Sequence, residues 1–157
     1  MAQEPMTPEG LKKLKEELKR YRFVERLKNV KDIEIARAHG DLRENAEYHA
    51  AKDRQGHIAA QIQFLEDAIA RAVVIDPQTL KSDKVVFGAT VTLLELEIEE
   101  TVTYQIVGKH ESDLKVGKIS VDAPLSKSLI GKTVGDAIVF KSAKGVKEYE
   151  VIEIKFL

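Results

Sequence analysis

The segment Gly40–Ala51, GDLRENAEYHAA, separates two long stretches in which apolar residues recur with helical spacing. Gly40 can end the first helix, because glycine adopts the left-handed conformation without a Cβ penalty. Asp41 and Glu44 have the spacing of a capping box, in which a short acceptor at the N-cap is followed by Glu at the third helical position. The segment therefore predicts the turn of an antiparallel helical hairpin, whose second helix begins after Asp41.

The first helix is predicted to begin with Thr7 as its N-cap and Pro8 as its first residue. Its apolar residues follow coiled-coil spacing and then drift in steps of three, which predicts a local change of supercoil. A helix break is not expected, because no Pro or Gly lies between Leu11 and His39. The predicted buried positions are Leu11, Leu14, Leu18, Tyr21, Val24, Leu27, Val30 and Ile33.

The second helix is predicted to run to about Ala72. Apolar residues keep a regular 4-3-4-3 pattern in its second half, and alanines take the same positions near the turn. At about 1.5 Å per residue, two helices of roughly 30 residues make a rod of about 45 Å. The predicted seam consists of Ala46, Ala50, Ala51, Ile58, Ile62, Leu65, Ile69 and Ala72.

The period changes to two beyond the helices, as in β-strands. One short helix is predicted over Pro124–Ile130, closed by Gly131. The fold class is therefore α+β, with a coiled-coil hairpin over residues 1–76, a linker over 77–83 and an antiparallel sheet domain over 84–157. The predicted strands are 85–87, 89–93, 102–107, 118–121, 137–140 and 149–154.

Composition excludes several classes of function. The 157 residues include no cysteine, so disulfides and thiol catalysis are excluded. The net charge of −1 provides no global basic field for free nucleic acid. No signal peptide or apolar membrane span is present, so we expect a cytoplasmic protein without a membrane partner.

Two interpretations of the acidic turn remain open from the residues alone. Asp41 and Glu44 could serve only as a helix cap, which contributes about 1 kcal/mol. They could also be oxygen ligands for a hard cation such as Mg²⁺. A third pattern, His49, Asp53 and His57 on one helix face, lacks the four ligands of a structural zinc site and is expected to be a solvated surface.

Several blocks of the chain, in order, resemble the GreA/GreB family of bacterial transcript cleavage factors. The turn motif Gly40–Lys52 carries most of the resemblance, which extends over essentially the whole chain. The near-neutral charge fits the GreA type of that family better than the more basic GreB type. Matching blocks elsewhere are Met6–Leu11, Val74–Pro77, Val85–Leu93, Val102–Gly108, Leu129–Lys132 and Lys147–Val151.

The resemblance implies that the second domain is FKBP-like and docks on RNA polymerase while the coiled coil enters its secondary channel. The family's two acidic residues match Asp41 and Glu44, which would position Mg²⁺ shared with the polymerase for cleavage of the 3′ end of backtracked nascent RNA. The protein would then stimulate the polymerase in trans and would not itself be an enzyme; we expect a monomer. The implied RNA or polymerase contacts are Arg37, Asn45, Tyr48, Lys52, Asp122 and Pro124.

Three positions depart from the family pattern, namely Leu27, Glu97–Glu100 and Asp122–Ala123. Leu27 replaces a frequent proline, which should make the first helix more continuous.

Three other functions compete with this one: a channel-binding regulator without cleavage activity, a prolyl isomerase or chaperone, and a coiled-coil scaffold. The two acidic residues argue against a regulator without cleavage activity. The scarcity of aromatic residues in the C-terminal half argues against a prolyl isomerase or chaperone. The polar turn argues against a plain coiled-coil scaffold.

Overall fold

The computed structural model describes residues 2–41 and 43–157 and divides the chain into two compact units. One unit is Leu11–Ala72, and the other combines Gln3–Gly10 with Val73–Leu157. No helix among the described residues is long and apolar enough to cross a membrane. The elements are β1 (Glu4–Met6), α1 (Pro8–Arg20), a π-helical turn (Tyr21–Glu25), α2 (Arg26–Arg37), α3 (Ala46–Arg71), β2 (Ala72–Val74), β3 (Thr90–Glu95), β4 (Glu100–Val107), β5 (Lys118–Ser120), α4 (Pro124–Leu129), β6 (Ala137–Ser142) and β7 (Gly145–Lys155), with short 3₁₀ turns at Pro77–Thr79 and Leu114–Val116.

The π-helical turn explains the drift of apolar positions in the first arm of the hairpin. The chain stays helical from α1 into α2, as predicted, but Tyr21–Glu25 adopts i→i+5 bonding. Arg20 and Glu25, five residues apart, form an ion pair of 3.0 Å across this turn. An extra residue in one turn rotates all later side chains by roughly 100° relative to an uninterrupted α-helix.

This rotation changes which residues the hairpin buries. Leu14, Leu18 and Ile33 are buried as predicted, whereas Asn29 and Ala36 complete the seam of α2. The prediction was wrong for Val24, Leu27 and Val30, which are exposed. In α3 the buried residues are Ile58, Ile62, Leu65 and Ala68; the predicted seam positions Ala46 and Ala50 are exposed, and Ala51 and Ile69 are only half-buried.

The start of α1 is capped from two directions. Thr7 is the N-cap, as predicted, and its Oγ1 accepts the Gly10 N–H at 3.2 Å. The Glu111 carboxylate accepts the Thr7 N–H at 3.0 Å and the Gly108 N–H at 2.9 Å, and it also bonds the Thr7 hydroxyl. In a capping box, the residue three positions after the N-cap accepts the N-cap N–H. Because Gly10 holds that position, Glu111 takes over this bond from elsewhere in the chain.

The C-terminal unit is built on one five-stranded sheet in the order β5-β4-β3-β7-β6. The α+β class is confirmed, as is α4 with Gly131 at φ +89° just beyond it. Neighbouring strands are antiparallel as predicted except β4 and β5, which are parallel. The predicted strand 85–87 is not one: Val85 is fully buried, but its N–H and C=O bond to the loop residues Lys132 and Gly131.

A register shift in β7 places its apolar residues on the buried face. Tyr149 and Val151 alternate into the core, and the pairing with β3 then slips between Thr92 and Leu93. Such a bulge reverses the alternation of side chains. Ile152 lies at the slip and is exposed, and Ile154 packs against the same core as Val151 although simple alternation would turn it outward.

A two-stranded sheet of β1 and β2 was not predicted from the alternation pattern, because both strands have only three residues. Glu4 in β1 pairs with Lys109 at 2.8 Å and with His110 at 2.9 Å. The hydrogen bond from Lys109, followed by that from His110, lowers the pKa of the Glu4 carboxyl, although partial burial opposes the shift. These contacts hold the N-terminal strand to the loop after β4.

Candidate functional site

The turn of the hairpin is formed by the chain between α2 and α3. Helix α2 ends at Arg37, after which the His39 N–H bonds the Ala36 carbonyl at 3.1 Å and the Gly40 N–H bonds the Arg37 carbonyl at 3.3 Å. Gly40 has φ +108°, so its predicted left-handed conformation is confirmed. A Cβ at this position would meet no atom within 4 Å, so the backbone angle is what favours glycine. Leu42, part of the predicted motif, lies outside the described residues.

Asp41 and Glu44 lie in this connection and not in a helix. Both are exposed, and Asp41 Oδ1 accepts the Arg43 N–H at 2.9 Å in a local Asx turn. The prediction that Asp41 caps the second helix was therefore wrong. The second helix instead begins at Ala46, so the connection between the two helices spans residues 38–45. The bond from the Arg43 N–H uses only one of the two oxygens of the Asp41 carboxylate.

Asn45 is the N-cap of α3. Its Oδ1 accepts the Tyr48 N–H at 3.0 Å, which is the bond that the capping role requires. Its Nδ2 donates to the carbonyl of Ala36 in α2 at 2.6 Å. The sequence contains the signal for this cap, because asparagine is as good an N-cap as aspartate. Asp41 and Asn45 are both suitable N-cap residues, four positions apart, and local sequence does not choose between them. Asn45 was predicted as a contact for RNA or polymerase; the structure adds that its amide is engaged within the hairpin.

Arg37 and Tyr48 come together across the turn. The Arg37 guanidinium lies 5.9 Å from the centroid of the Tyr48 ring, within range of a cation–π interaction. The ring of His49 meets that of Tyr48 edge to face at 5.8 Å, and His49 Nε2 lies 3.0 Å from the Arg43 carbonyl. The sequence did not predict this role of His49. The arrangement fixes one aromatic and one cationic side chain beside the acidic turn.

Lys52 stands apart from these contacts. Its Nζ donates to Gln55 in the same helix at 2.7 Å. Together with Arg26 it borders an open groove of about 600 Å³ along the hairpin. The groove is otherwise lined by Asn29, Val30, Gln55, Gly56, Ile58, Ala59 and Ile62.

Asp122 and Pro124 lie in the other unit, where the loop after β5 leads into α4. Both are exposed, and Pro124 is the first residue of α4. Ser126, fully buried, donates its hydroxyl to the Ser120 carbonyl at 2.5 Å, and the Asp122 N–H bonds Ser120 Oγ at 3.1 Å. These bonds give the loop a defined shape while leaving its two predicted contact residues open to a partner.

No group of three or more His, Asp or Glu residues within the described ranges is arranged to hold a metal ion. The set His49, Asp53 and His57 thus forms no such cluster. The turn offers two exposed carboxylates, which is the oxygen donor chemistry that Mg²⁺ prefers. Two carboxylates alone are fewer ligands than this cation requires, so further ligands would have to come from outside the chain.

Family models match nearly all of the sequence. Residues 4–74 match the N-terminal domain of transcription elongation factors, and residues 80–156 match the C-terminal domain described as GreA/GreB. This chain belongs to the GreA/GreB family of transcription elongation factors. The resemblance seen in the turn motif is thereby confirmed over both units.

Individual relatives of this GreA/GreB family member are similar along their whole length. Transcription elongation factor GreA of Trichlorobacter lovleyi is 55% identical over 152 residues, covering 97% of this chain and 96% of the relative. The GreA of Phenylobacterium zucineum is 50% identical over 157 residues, covering all of both. Among solved structures, GreA factor homolog 1 of Thermus thermophilus is 27% identical, covers 97% of this chain and 98% of that chain, and has a TM-score of 0.44.

Proposed function

We propose that this elongation factor enters the secondary channel of RNA polymerase and stimulates, in trans, the polymerase's cleavage of the 3′ end of backtracked RNA. The observation that carries the proposal is the pair of exposed carboxylates, Asp41 and Glu44, on the turn of a long hairpin. Helix α3 alone, with 26 residues, spans about 39 Å. Membership of the GreA/GreB family supports the same function.

The residues of the turn fit a shared Mg²⁺ site. When bound, Mg²⁺ activates water and stabilises the charge that develops during phosphodiester hydrolysis. Asp41 and Glu44 would hold it from this side, and the polymerase and its RNA would supply the remaining ligands. The bond from the Arg43 N–H occupies one of the two carboxylate oxygens of Asp41, and the other would then bind the cation. Arg37 and Tyr48 would contact the RNA beside them, and Asp122 and Pro124 would contact the polymerase.

The protein would act as a cytoplasmic monomer without catalytic activity of its own. With Mg²⁺ but without polymerase, we expect no useful hydrolysis of free RNA, because the chain supplies only part of a cation site. Action in trans would be refuted by an activity that hydrolyses naked RNA, copurifies with the protein through several steps and is lost in Asp41→Asn.

Asp41→Asn and Glu44→Gln test the site directly. Asn keeps an oxygen that accepts the Arg43 N–H, and Gln preserves the length of an exposed side chain, so the free energy of unfolding should change by less than about 1 kcal/mol. Stimulated cleavage in backtracked complexes should fall at least about tenfold, equivalent to about 1.4 kcal/mol of barrier. Binding, measured by competition with the unmodified protein, should persist.

Glu47→Gln provides the matched control. Glu47 lies in the first turn of α3, is exposed, and pairs with His39 at 3.6 Å. Its substitution removes the same charge from the same end of the hairpin and should leave cleavage within about twofold. Equal losses in all three variants would indicate a general effect of charge. Full cleavage activity of Asp41→Asn and Glu44→Gln would show that the two carboxylates have only a structural role in the turn.

A further inference from the structure

The chain contains two asparagines, Asn29 and Asn45, and each donates its amide across the hairpin to a backbone carbonyl. Asn29 Nδ2 donates from α2 to Ala51 in α3 at 2.9 Å, and Asn45 Nδ2 donates from the start of α3 to Ala36 in α2 at 2.6 Å. The two bonds run in opposite directions between the same pair of helices. Their anchors on α2 lie seven residues apart, about 10 Å along the axis.

The bond at the turn has a function that the other lacks. The last four carbonyls of a helix have no partner within that helix. The Ala36 carbonyl is one of these four in α2. It accepts hydrogen bonds from the backbone N–H of His39 and from the side-chain amide of Asn45. The same Asn45 amide accepts the Tyr48 N–H at the start of α3. One side chain thus caps the end of one helix and the beginning of the next.

The chemistry of the two partners suits a side-chain amide here. The Tyr48 N–H can only donate and the Ala36 carbonyl can only accept, so the side chain between them must present an acceptor and a donor. Aspartate has the same shape and is an equally good N-cap, but it would place a second acceptor against the Ala36 carbonyl.

We propose that Asn45 is a positioning residue: its two-helix cap fixes both ends of the segment that carries Asp41 and Glu44. This inference rests on the proposed function of those carboxylates. If both ends of the segment are held, the carboxylates keep one arrangement. The conformational entropy of the segment is then not lost when the hairpin binds RNA and polymerase. If one end is released, binding of the hairpin persists but the carboxylates reach the reacting phosphate less often.

Asn45→Asp tests the proposal, with Asn29→Ser as the matched control. Asn45→Asp keeps the cap to Tyr48 and removes only the donor to Ala36. Asn29→Ser likewise removes one amide-to-carbonyl bond across the hairpin, but away from the turn. Asn45→Ser adds no charge, and its shorter hydroxyl can cap Tyr48 without also reaching Ala36, so this variant checks that the effect comes from losing the bond to Ala36.

Two measurements separate positioning from general stability. In ¹⁵N relaxation, we expect the order parameters of the Arg43 and Glu44 amides to fall from the rigid range of about 0.85 to below about 0.6 in Asn45→Asp. The maximal rate of stimulated cleavage at saturating protein should fall at least about fivefold, with the half-saturating concentration unchanged within about twofold. Asn29→Ser should leave the order parameters and the maximal rate near those of the unmodified protein.

Unchanged order parameters or an unchanged maximal rate in Asn45→Asp would overturn the proposal. So would equal losses in Asn29→Ser, because the effect would then be one of hairpin stability. Failure of the proposed function is read from different variants, Asp41→Asn and Glu44→Gln. If those retained full cleavage, the order parameters of Asn45→Asp would decide: lost order supports the two-helix cap, and retained order refutes it.

Discussion

Replacing Gly10 with alanine tests how the first turn of α1 is held. An added Cβ would lie 2.2 Å from Cδ of Glu111, the residue whose carboxylate accepts the N–H groups of Thr7 and Gly108. The carboxylate must move, and its hydrogen bonds are lost with it. A hydrogen bond to a charged group contributes about 1.5–3 kcal/mol. Because Glu111 is only half-buried, we take the lower value for each of the two backbone bonds, or about 3 kcal/mol.

Alanine also has a favourable effect at this position. It is about 1 kcal/mol better than glycine within a helix, so Gly10→Ala should destabilise the protein by about 2 kcal/mol. Glu111→Ala alone should cost about 3 kcal/mol. Once Glu111 is absent, the added Cβ no longer displaces a carboxylate, and Gly10→Ala should become stabilising by up to about 1 kcal/mol. The sign of the substitution therefore reverses between the two backgrounds.

Urea unfolding of the two single variants and the double variant measures this coupling. Gly56→Ala is the matched control, because Gly56 lies within α3 and a Cβ there meets no atom within 4 Å. It should stabilise the protein by up to about 1 kcal/mol in either background. If Gly10→Ala were equally destabilising with and without Glu111, the reasoning about the shared cap would be refuted.

Two further substitutions test the C-terminal unit. Glu99, in the turn between β3 and β4, has φ +53°, a conformation that costs a non-glycine residue roughly 1–2 kcal/mol. Glu99→Gly should therefore raise the free energy of unfolding by about 0.5–1 kcal/mol, once the greater entropy of glycine in the unfolded chain is subtracted. A loss of stability in urea unfolding would contradict this. Lys109 and His110 lower the pKa of Glu4 below its ordinary value of 4.5, so the stability lost in Glu4→Gln should be largest above that pH. Because the folded pKa is depressed, the difference from the unmodified protein should vanish as pH falls through the folded pKa, and a difference that grew with acidity would show the sign to be wrong.

Much of the architecture was predictable because it depends on local periodicity. Thr7 and Pro8 mark the start of α1, Gly40 needs its left-handed backbone, and the change of period separates helices from strands. The α+β class and the family follow from such local patterns. The position of Asp41 and Glu44 at the reversal of the chain was also predicted, but Glu44 was expected at the third position of the second helix, because the cap was assigned four residues too early.

What the sequence alone determined was the order of elements and the placement of two carboxylates at the reversal of the chain. Tertiary structure decided which of several equivalent local choices was used. Asp41 and Asn45 have equal intrinsic capping ability, and Asn45 is the cap because its side-chain amide also reaches the Ala36 carbonyl. The π-helical turn selects Asn29 over Val30 for the seam. Such choices depend on partners distant along the chain, such as Glu111 for Thr7, which a local pattern does not encode.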